Sequence, residues 1–219
     1  MRVVVAGGHG KIALRLTGLL AARDDVVVGI VRNPDHVDDV KAAGGEAVVL
    51  DLEQASVDDV AGALGGADAV VFAAGAGPGS GVTRKDTVDR GASVLLADAA
   101  EQAGVRRFVQ VSAMGLDRAD DPDVNDVFAA YLRAKAAADE DVMGREGLDW
   151  TVLRPGLLTD DPGTGRVELA EDVGGGVVTR DDVAAVLVLL LDRPETAGHV
   201  YELVGGETPV DEALGAQHA

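Results

Sequence analysis

The sequence contains no cysteine, which excludes disulfide bonds and metal sites built from thiolates. A chain of this kind suits a reducing compartment. Aromatic residues are also scarce, at 3% of the chain, although hydrophobic residues as a whole make up 47%. Aliphatic side chains must therefore fill the core, and 219 residues are enough for one domain with such a core.

Basic residues are few, with 19 against 38 acidic residues, and the net charge is −19. This field repels the phosphates of nucleic acids and the headgroups of anionic membranes, so we expect neither as a partner. A small-molecule substrate is expected instead. Any anionic ligand must be held by a local cluster of positive groups that acts against the overall charge.

Long hydrophobic runs are missing as well. The longest, Val183–Leu191, is about half of what a membrane-spanning helix needs. The apolar run in MRVVVAGG is too short for a signal peptide and is ended by glycines. These features predict a soluble, cytoplasmic protein.

Short β-branched runs alternate with helical patterns as far as Arg154, which predicts an α/β fold with a doubly wound parallel sheet, the Rossmann fold. Strands are predicted at Arg2–Ala6, Val26–Val31, Ala47–Asp51, Ala69–Ala73, Arg107–Ser112 and Trp150–Arg154. Helices are predicted at Lys11–Ala22, Pro34–Ala43, Val57–Leu64, Thr87–Ala103 and Phe128–Arg145.

The pattern changes after Arg154, where the segment RPGLLTDDPGTG is interpreted as a loop. Short strands near Val167–Leu169 and Val177–Val178, a helix at Asp181–Leu191 and a strand at His199–Val204 follow. These residues are too few for a core of their own. We therefore expect one domain, in which residues from about 155 to 219 form a small substrate-side subregion over one end of the sheet.

The last predicted helix, DVAAVLVLLL, is apolar on almost all sides and must be buried on most of them. Thr179 is placed to cap it. Two partners could cover it: the sheet beneath the C-terminal tail, or a second subunit. We expect internal packing, with GHVYELVGG lying over the helix, and therefore a monomer; a dimer is the alternative.

The first predicted strand leads directly into GGHGKIA, residues 7–13, at the start of the first helix. Gly7 and Gly10 allow a tight turn, and Ala13 lets the helix pack against the strand. The unpaired N–H groups at the helix start suit a pyrophosphate. A turn that binds nothing is the alternative, but the position favours dinucleotide binding, with His9 contributing its backbone N–H.

The end of the second predicted strand distinguishes NAD from NADP. An NAD site has an acidic residue there for the ribose hydroxyls, whereas this chain has Arg32 and Asn33. A guanidinium binds a 2′-phosphate well, so we predict NADP, with NADPH preferred over NADH. A surface arginine paired with Asp35 is the alternative. Asp51 and Leu52 are placed to flank the adenine, although an aspartate also suits a turn.

Tyr131 and Lys135 lie four positions apart in a predicted helix, in FAAYLRAK. Pairs with this spacing are common on helix surfaces, so the spacing alone leaves open whether the two residues are catalytic. The fifth strand ends at Ser112, and the small residues Ala73–Gly77 after the fourth strand let a cofactor pass closely.

Together, GGHGKIA, FAAGAG, DAAEQAGVRRFVQVSAMG, YLRAK and DWTVLRPG resemble the short-chain dehydrogenase/reductase superfamily. More narrowly, they resemble its atypical NAD(P)H-binding branch, which includes NmrA-like and flavin-reductase-like proteins. The resemblance implies that Ser112, Tyr131 and Lys135 flank the nicotinamide. The lysine would lower the pKa of the tyrosine and bind the ribose, and the tyrosine would exchange a proton with a carbonyl oxygen while hydride moves.

One position departs from the superfamily pattern. Where classical members have an asparagine in the helix after the fourth strand, this chain has Asp89, in TVDRGAS. An aspartate cannot hold the same proton relay, which argues against classical alcohol and ketone chemistry. An acid that interacts with the helix dipole is the alternative.

The candidate catalytic residues are Ser112, Tyr131, Lys135 and Asp89. The candidate cofactor-binding residues are Gly7, Gly8, His9, Gly10, Lys11, Ile12, Arg32, Asn33, Asp51, Leu52, Ala73, Ala74, Gly75, Ser112, Lys135 and Pro155. No metal site is expected.

Three functions are compatible with these residues. The first is an NADP(H)-dependent oxidoreductase that transfers hydride to a small carbonyl, quinone or flavin-like substrate, bound between the loops after Ser112 and Pro155. The second is a redox sensor that binds NADP(H) without turnover. The third is an epimerase or dehydratase, which usually needs a larger sugar-nucleotide domain than the residues after Arg154 provide. The presence of Ser112, Tyr131 and Lys135 together favours the enzyme.

Overall fold

Within residues 1–77 and 79–215, which the computed structural model describes, eleven strands form. They are β1 (Arg2–Ala6), β2 (Val26–Val31), β3 (Glu46–Val49), β4 (Ala69–Phe72), β5 (Arg107–Val111), β6 (Asp149–Pro155), β7 (Leu157–Thr159), β8 (Arg166–Ala170), β9 (Val177–Thr179), β10 (His199–Gly205) and β11 (Thr208–Pro209). Nine of these described strands make one sheet in the order β11-β8-β10-β6-β5-β4-β1-β2-β3, and β7 pairs with β9 beside it.

The helices of the same ranges are α1 (Lys11–Ala21), α2 (Val37–Ala42), α3 (Val57–Ala63), α4 (Val82–Arg84), α5 (Ala92–Ala103), α6 (Asp126–Met143) and α7 (Arg180–Leu191). A π-helical segment, Lys85–Gly91, joins α4 to α5. In the described part of the chain, no helix combines the length and the apolar character that a membrane span requires.

The sheet is parallel from β3 to β10, and helices cover both of its faces. Alternate residues of each strand point to opposite faces. Val3 and Val5 pack with α1 and α7 on one face, whereas Val4 and Ala6 pack with α3 and α5 on the other. Both faces are therefore apolar, which explains the unbroken valine runs of the strands. The predicted doubly wound α/β fold is confirmed.

Element boundaries depart from the predictions mainly in two crossovers. The helix predicted at Thr87–Ala103 begins earlier, with α4 and the π-helical segment preceding α5. The helix predicted at Pro34–Ala43 starts as a 3₁₀ turn, Pro34–His36, because Pro34 lies at its first turn and Asn33 accepts a hydrogen bond from the Asp35 N–H at 3.1 Å.

The C-terminal subregion extends the sheet beyond β6 with the further strands β10, β8 and β11. β10 pairs in parallel with β6, and β8 pairs antiparallel with β10. The segment HVYELV is thus a sheet strand, and its Tyr201 and Leu203 share one apolar core with α7. Leu157–Thr159, expected within a loop, forms β7. β10 joins the sheet because β6 would otherwise be an edge strand, and pairing with β10 provides hydrogen-bond partners for the backbone N–H and C=O groups of β6.

Internal burial of α7 is confirmed. Its buried residues include Val183, Leu187 and Leu190, which join the core on the face covered by α1. The predicted cap is also confirmed, since the Thr179 hydroxyl accepts a hydrogen bond from the Asp182 N–H at 3.0 Å. The apolar surface of this helix is therefore covered by its own chain.

Candidate functional site

The glycine loop between β1 and α1 lies where the strand order reverses, with β2 on one side of β1 and β4 on the other. Gly7 has a φ of +80°, and a Cβ there would lie 2.6 Å from the Ala74 Cα. Gly8 lies against β2, where a Cβ would come within 2.5 Å of the Gly29 Cα. Gly10 precedes α1 and no side chain caps that helix, so the N–H groups of its first turn are open to a phosphate.

A cleft of about 350 Å³ opens beside this loop, a size within the range of small-molecule sites. The structure brings ten of the predicted cofactor-binding residues to it: Gly7, His9, Gly10, Arg32, Asn33, Asp51, Leu52, Ala73, Ala74 and Gly75. These residues come from the ends of β1, β2, β3 and β4, which meet at one edge of the sheet.

The other predicted residues of the glycine loop, Gly8, Lys11 and Ile12, point elsewhere. The Lys11 ammonium donates to Asp160 in the C-terminal subregion at 2.5 Å, and Ile12 packs against the core. Gly8 donates its N–H to the Ile30 carbonyl at 2.9 Å, so of these three residues Lys11 and Ile12 are the ones whose backbone N–H could contact a phosphate.

Arg32 pairs with Glu53, and not with Asp35 as the alternative supposed. Its Nη1 lies 3.0 Å from Glu53 Oε2, and Arg84 Nη2 lies 2.7 Å from the same oxygen. Arg84, with help from Thr87 and Arg32, lowers the pKa of the Glu53 carboxyl. Sequence reasoning missed Glu53 and Arg84, because nothing local to Arg32 indicates that these two residues meet it.

The ring of His9 is fixed at the same edge of the sheet. It stacks on His36, with ring centroids 3.6 Å apart, and its Nε2 lies 2.7 Å from Asp39 Oδ2. Both imidazoles line the cleft. The side chain of His9 thus faces the ligand space, in addition to the backbone N–H expected from the sequence.

Lys135 lies inside the protein and is not part of a helix surface. Its side chain is about 95% buried, and its Nζ donates to the Val111 carbonyl at 3.0 Å. The same Nζ is 3.7 Å from Asp89 Oδ1, an ion pair too long for a hydrogen bond. Burial lowers the pKa of this ammonium, while the nearby carboxylates Asp89 and Asp139 act in the opposite direction.

Tyr131 is half-buried on the same helix. Its ring stacks against Phe128 at 5.8 Å, and the Lys85 ammonium lies 5.2 Å from its ring centroid. Burial, with Asp89 and then Asp139 adding to it, raises the pKa of Tyr131 to about 12. The resemblance implied a lowered pKa; here burial and two carboxylates raise it instead.

Asp89 lies within the π-helical segment and is 1% exposed. Its Oδ2 accepts from the Ala76 N–H at 3.2 Å, whereas Oδ1 has no hydrogen-bond partner among the described residues. A Cβ on Gly75 would lie 3.1 Å from Oδ1, which places this oxygen beside the cleft. An unpaired buried carboxylate oxygen is costly unless a ligand uses it.

Ser112 belongs to a buried network that sequence reasoning missed. Its hydroxyl donates to Asp139 Oδ2 at 2.9 Å, Arg154 donates to the same oxygen at 3.0 Å, and Gln110 donates to Oδ1 at 2.9 Å. The proton of Ser112 is thus committed to Asp139, and only its lone pairs can accept. One signal was available: Asp139 follows Lys135 by four residues, so both lie on one helix face.

The remaining candidate, Pro155, ends β6, and its carbonyl accepts from the Met114 N–H at 3.1 Å. This bond ties the loop after β5 to the start of the C-terminal subregion. The two loops expected to enclose a substrate are therefore joined at the backbone.

Comparison with known families decides the assignment. The sequence model of a family described as NAD(P)H-binding matches residues 7–194. The chain belongs to this NAD(P)H-binding family. The resemblance to the atypical branch of the short-chain dehydrogenase/reductase superfamily is confirmed with it.

Proteins similar to this NAD(P)H-binding chain include some named as epimerases and some named as reductases. An uncharacterised sugar epimerase of Bacillus subtilis, YhfK, is 36% identical over 98% of this chain and 99% of its own length. A structure from Bacillus halodurans, proposed to be an NAD-dependent epimerase/dehydratase, has a TM-score of 0.90 and 33% identity, covering 99% of both chains. The anaerobilin reductase ChuY of Escherichia coli O157:H7 has a TM-score of 0.77 and 26% identity, covering 94% of this chain and 97% of its own.

The described residues fit a nicotinamide dinucleotide. The glycine loop offers backbone donors at an uncapped helix start, and small residues after β4 leave room beside it. The unpaired oxygen of Asp89 lies behind Gly75, and the buried ammonium of Lys135 lies 3.7 Å from that oxygen, although neither side chain lines the cleft itself. In this NAD(P)H-binding protein, a glycine loop at an uncapped helix start thus lies near a group of buried titratable side chains.

Proposed function

We propose that this protein is an NADPH-dependent reductase that transfers hydride to a small carbonyl, quinone or flavin-like substrate. One observation carries the proposal: the Lys135–Asp89 ion pair is buried beside Gly75 of the cleft, and Tyr131, whose pKa is raised by burial and then by Asp89, lies near it. A protonated phenol serves as the acid that a reduction needs. The bound cofactor would supply the hydride.

The chain's own residues divide the remaining work. The glycine loop and the start of α1 would bind the pyrophosphate, and Arg32 the 2′-phosphate. Lys135 would donate to the ribose next to the nicotinamide, and Tyr131 would give its proton to the substrate oxygen. Ser112, whose proton is held by Asp139, would accept a hydrogen bond and so orient its partner.

An epimerase is the second candidate, and the names of two relatives favour it. Epimerisation through a transient ketone begins with removal of a hydroxyl proton, so the tyrosine would have to act first as a base. At neutral pH the Tyr131 phenol is in its protonated form, which is the form that a reduction uses and not the form that this first step needs. This difference favours the reductase.

The test is single-turnover oxidation of NADPH by the purified protein against quinones, flavins and aldehydes, followed by the absorbance of the reduced nicotinamide. We expect oxidation by a member of the panel, faster than in its absence. Absence of oxidation throughout, together with a change of configuration in a sugar nucleotide without net use of cofactor, would favour the epimerase instead.

We expect Arg32→Ala to weaken NADPH binding by about 2 kcal/mol and to change NADH binding little, since the only part of the cofactor that the guanidinium would contact is the 2′-phosphate. Isothermal calorimetry with both cofactors measures the difference. Arg106→Ala is the matched control, because this exposed arginine pairs with Asp149 at the opposite end of the sheet. Equal losses for NADPH and NADH in the Arg32 variant would contradict the preference for NADPH.

A further inference from the structure

Two arginines from separate elements share one carboxylate at the adenosine end of the cleft. Arg32 follows β2 and Arg84 ends α4, yet both contact Oε2 of Glu53, at 3.0 and 2.7 Å. The Glu53 side chain is 19% exposed, against 54% and 39% for the two arginines. The Glu53 carboxylate is thus more buried than the two guanidinium groups, and all three side chains line the cleft.

The arrangement suits an anion larger than a carboxylate. Because both guanidiniums reach one oxygen atom, they lie close enough for a single phosphate monoester to contact both of them. A phosphate carries three acceptor oxygens and a charge of about −1.5 to −2 at neutral pH, so it bonds two guanidiniums more strongly than one carboxylate does.

Glu53 is held in place independently of the arginines. The Thr87 hydroxyl donates to its Oε1 at 2.8 Å, and its own N–H donates to the Asp51 side chain at 3.1 Å. The carboxylate therefore stays near the arginines when another anion approaches, and it repels that anion.

We propose that Arg84, together with Arg32, binds the 2′-phosphate of NADP(H), and that Glu53 competes with this phosphate for both arginines. The proposal rests on the preference for NADPH in the proposed function and adds a second specificity residue and an internal competitor. Arg84 strengthens the phosphate site, and Glu53 limits its affinity, so that the difference between NADPH and NADH binding is a balance of the two.

The experiment measures dissociation constants of NADPH and NADH by calorimetry for the wild type, Arg84→Gln and Glu53→Gln. Arg84→Gln should weaken NADPH binding by about 10- to 100-fold and leave NADH within about twofold, as expected for the loss of a hydrogen bond between charged groups. Arg90→Gln is the matched control, since Arg90 lies in the adjoining π-helical segment but pairs with Asp86 on the surface. It should change neither constant by more than about twofold.

Glu53→Gln should have the opposite effect. The glutamine keeps the shape of the side chain and loses its charge, so NADPH should bind several-fold more tightly while NADH binding stays unchanged. The Glu53 variant keeps the inference testable even if the Arg84 variant misfolds, because a gain of NADPH affinity can be seen only in a folded site. Thermal unfolding of all variants checks the fold.

Three outcomes would overturn the inference. Equal losses for NADPH and NADH in Arg84→Gln would show that Arg84 only supports the segment around α4. Unchanged NADPH binding in Glu53→Gln would show that Glu53 does not compete with the phosphate. Weaker NADH binding in that variant would show that Glu53 binds the ribose. If Arg32→Ala also weakens NADPH and NADH binding equally, the proposed preference for NADPH fails. If Arg32→Ala weakens only NADPH binding and Arg84→Gln does not, the preference stands and only the role of Arg84 fails.

Discussion

Replacement of Tyr131 by phenylalanine is expected to lower the rate of hydride transfer by about 10²-fold or more, because the variant lacks the phenol that we propose as the acid for the substrate oxygen. NADPH affinity should stay within about twofold, since the ring and its stacking on Phe128 remain. Single-turnover oxidation of NADPH by the substrate identified in the panel measures the rate, and calorimetry measures the affinity.

Lys135→Ala supplies the contrast, with weaker cofactor binding expected from the loss of the ammonium that we propose to bind the ribose.

The pH dependence gives an independent check on Tyr131. A phenol with a raised pKa is protonated at every pH below about 12, so it should cause no loss of the reduction rate between pH 7 and about pH 10. An unchanged rate in Tyr131→Phe would make the tyrosine a structural residue.

Asp139→Ala is expected to lower the free energy of unfolding by about 3–5 kcal/mol, the range for breaking a buried ion pair by removing one partner. Asp139 is 1% exposed and accepts hydrogen bonds from Ser112, Gln110 and Arg154. Removal of its carboxylate leaves those donors without their acceptor and the Arg154 guanidinium without its counter-ion. Urea denaturation followed by circular dichroism measures the change.

Glu140→Ala is the matched control for Asp139→Ala, since Glu140 is the next residue of α6 and is exposed. Its effect should stay within about 0.5 kcal/mol. Similar small changes in both variants would show that the network around Asp139 contributes little to stability. In the Asp139 variant the Ser112 hydroxyl also loses the acceptor of its hydrogen bond. The activity of the folded fraction therefore shows whether the reaction depends on the orientation of Ser112.

The order and type of most elements could be predicted from the sequence because local patterns carry them. The valine runs of β1, β2 and β4 are buried on both faces, and the glycines of residues 7–10 mark the turn between β1 and α1. The end of the chain was harder. The pattern of HVYELV alone does not show which strand it pairs with. Its place in the sheet depends on the edge of β6, which is formed only in the tertiary structure.

The sequence by itself determined the glycine turn between β1 and α1 and the helix that carries Tyr131 and Lys135, because each depends on residues close together in the chain. Only the tertiary structure decided the electrostatics. Glu53 meets Arg32 and Arg84, and Asp139 meets Ser112 and Arg154, through contacts between separate elements. The pKa of Tyr131 rises for the same reason: burial and the field of distant carboxylates depend on how the elements pack, and no local pattern encodes them.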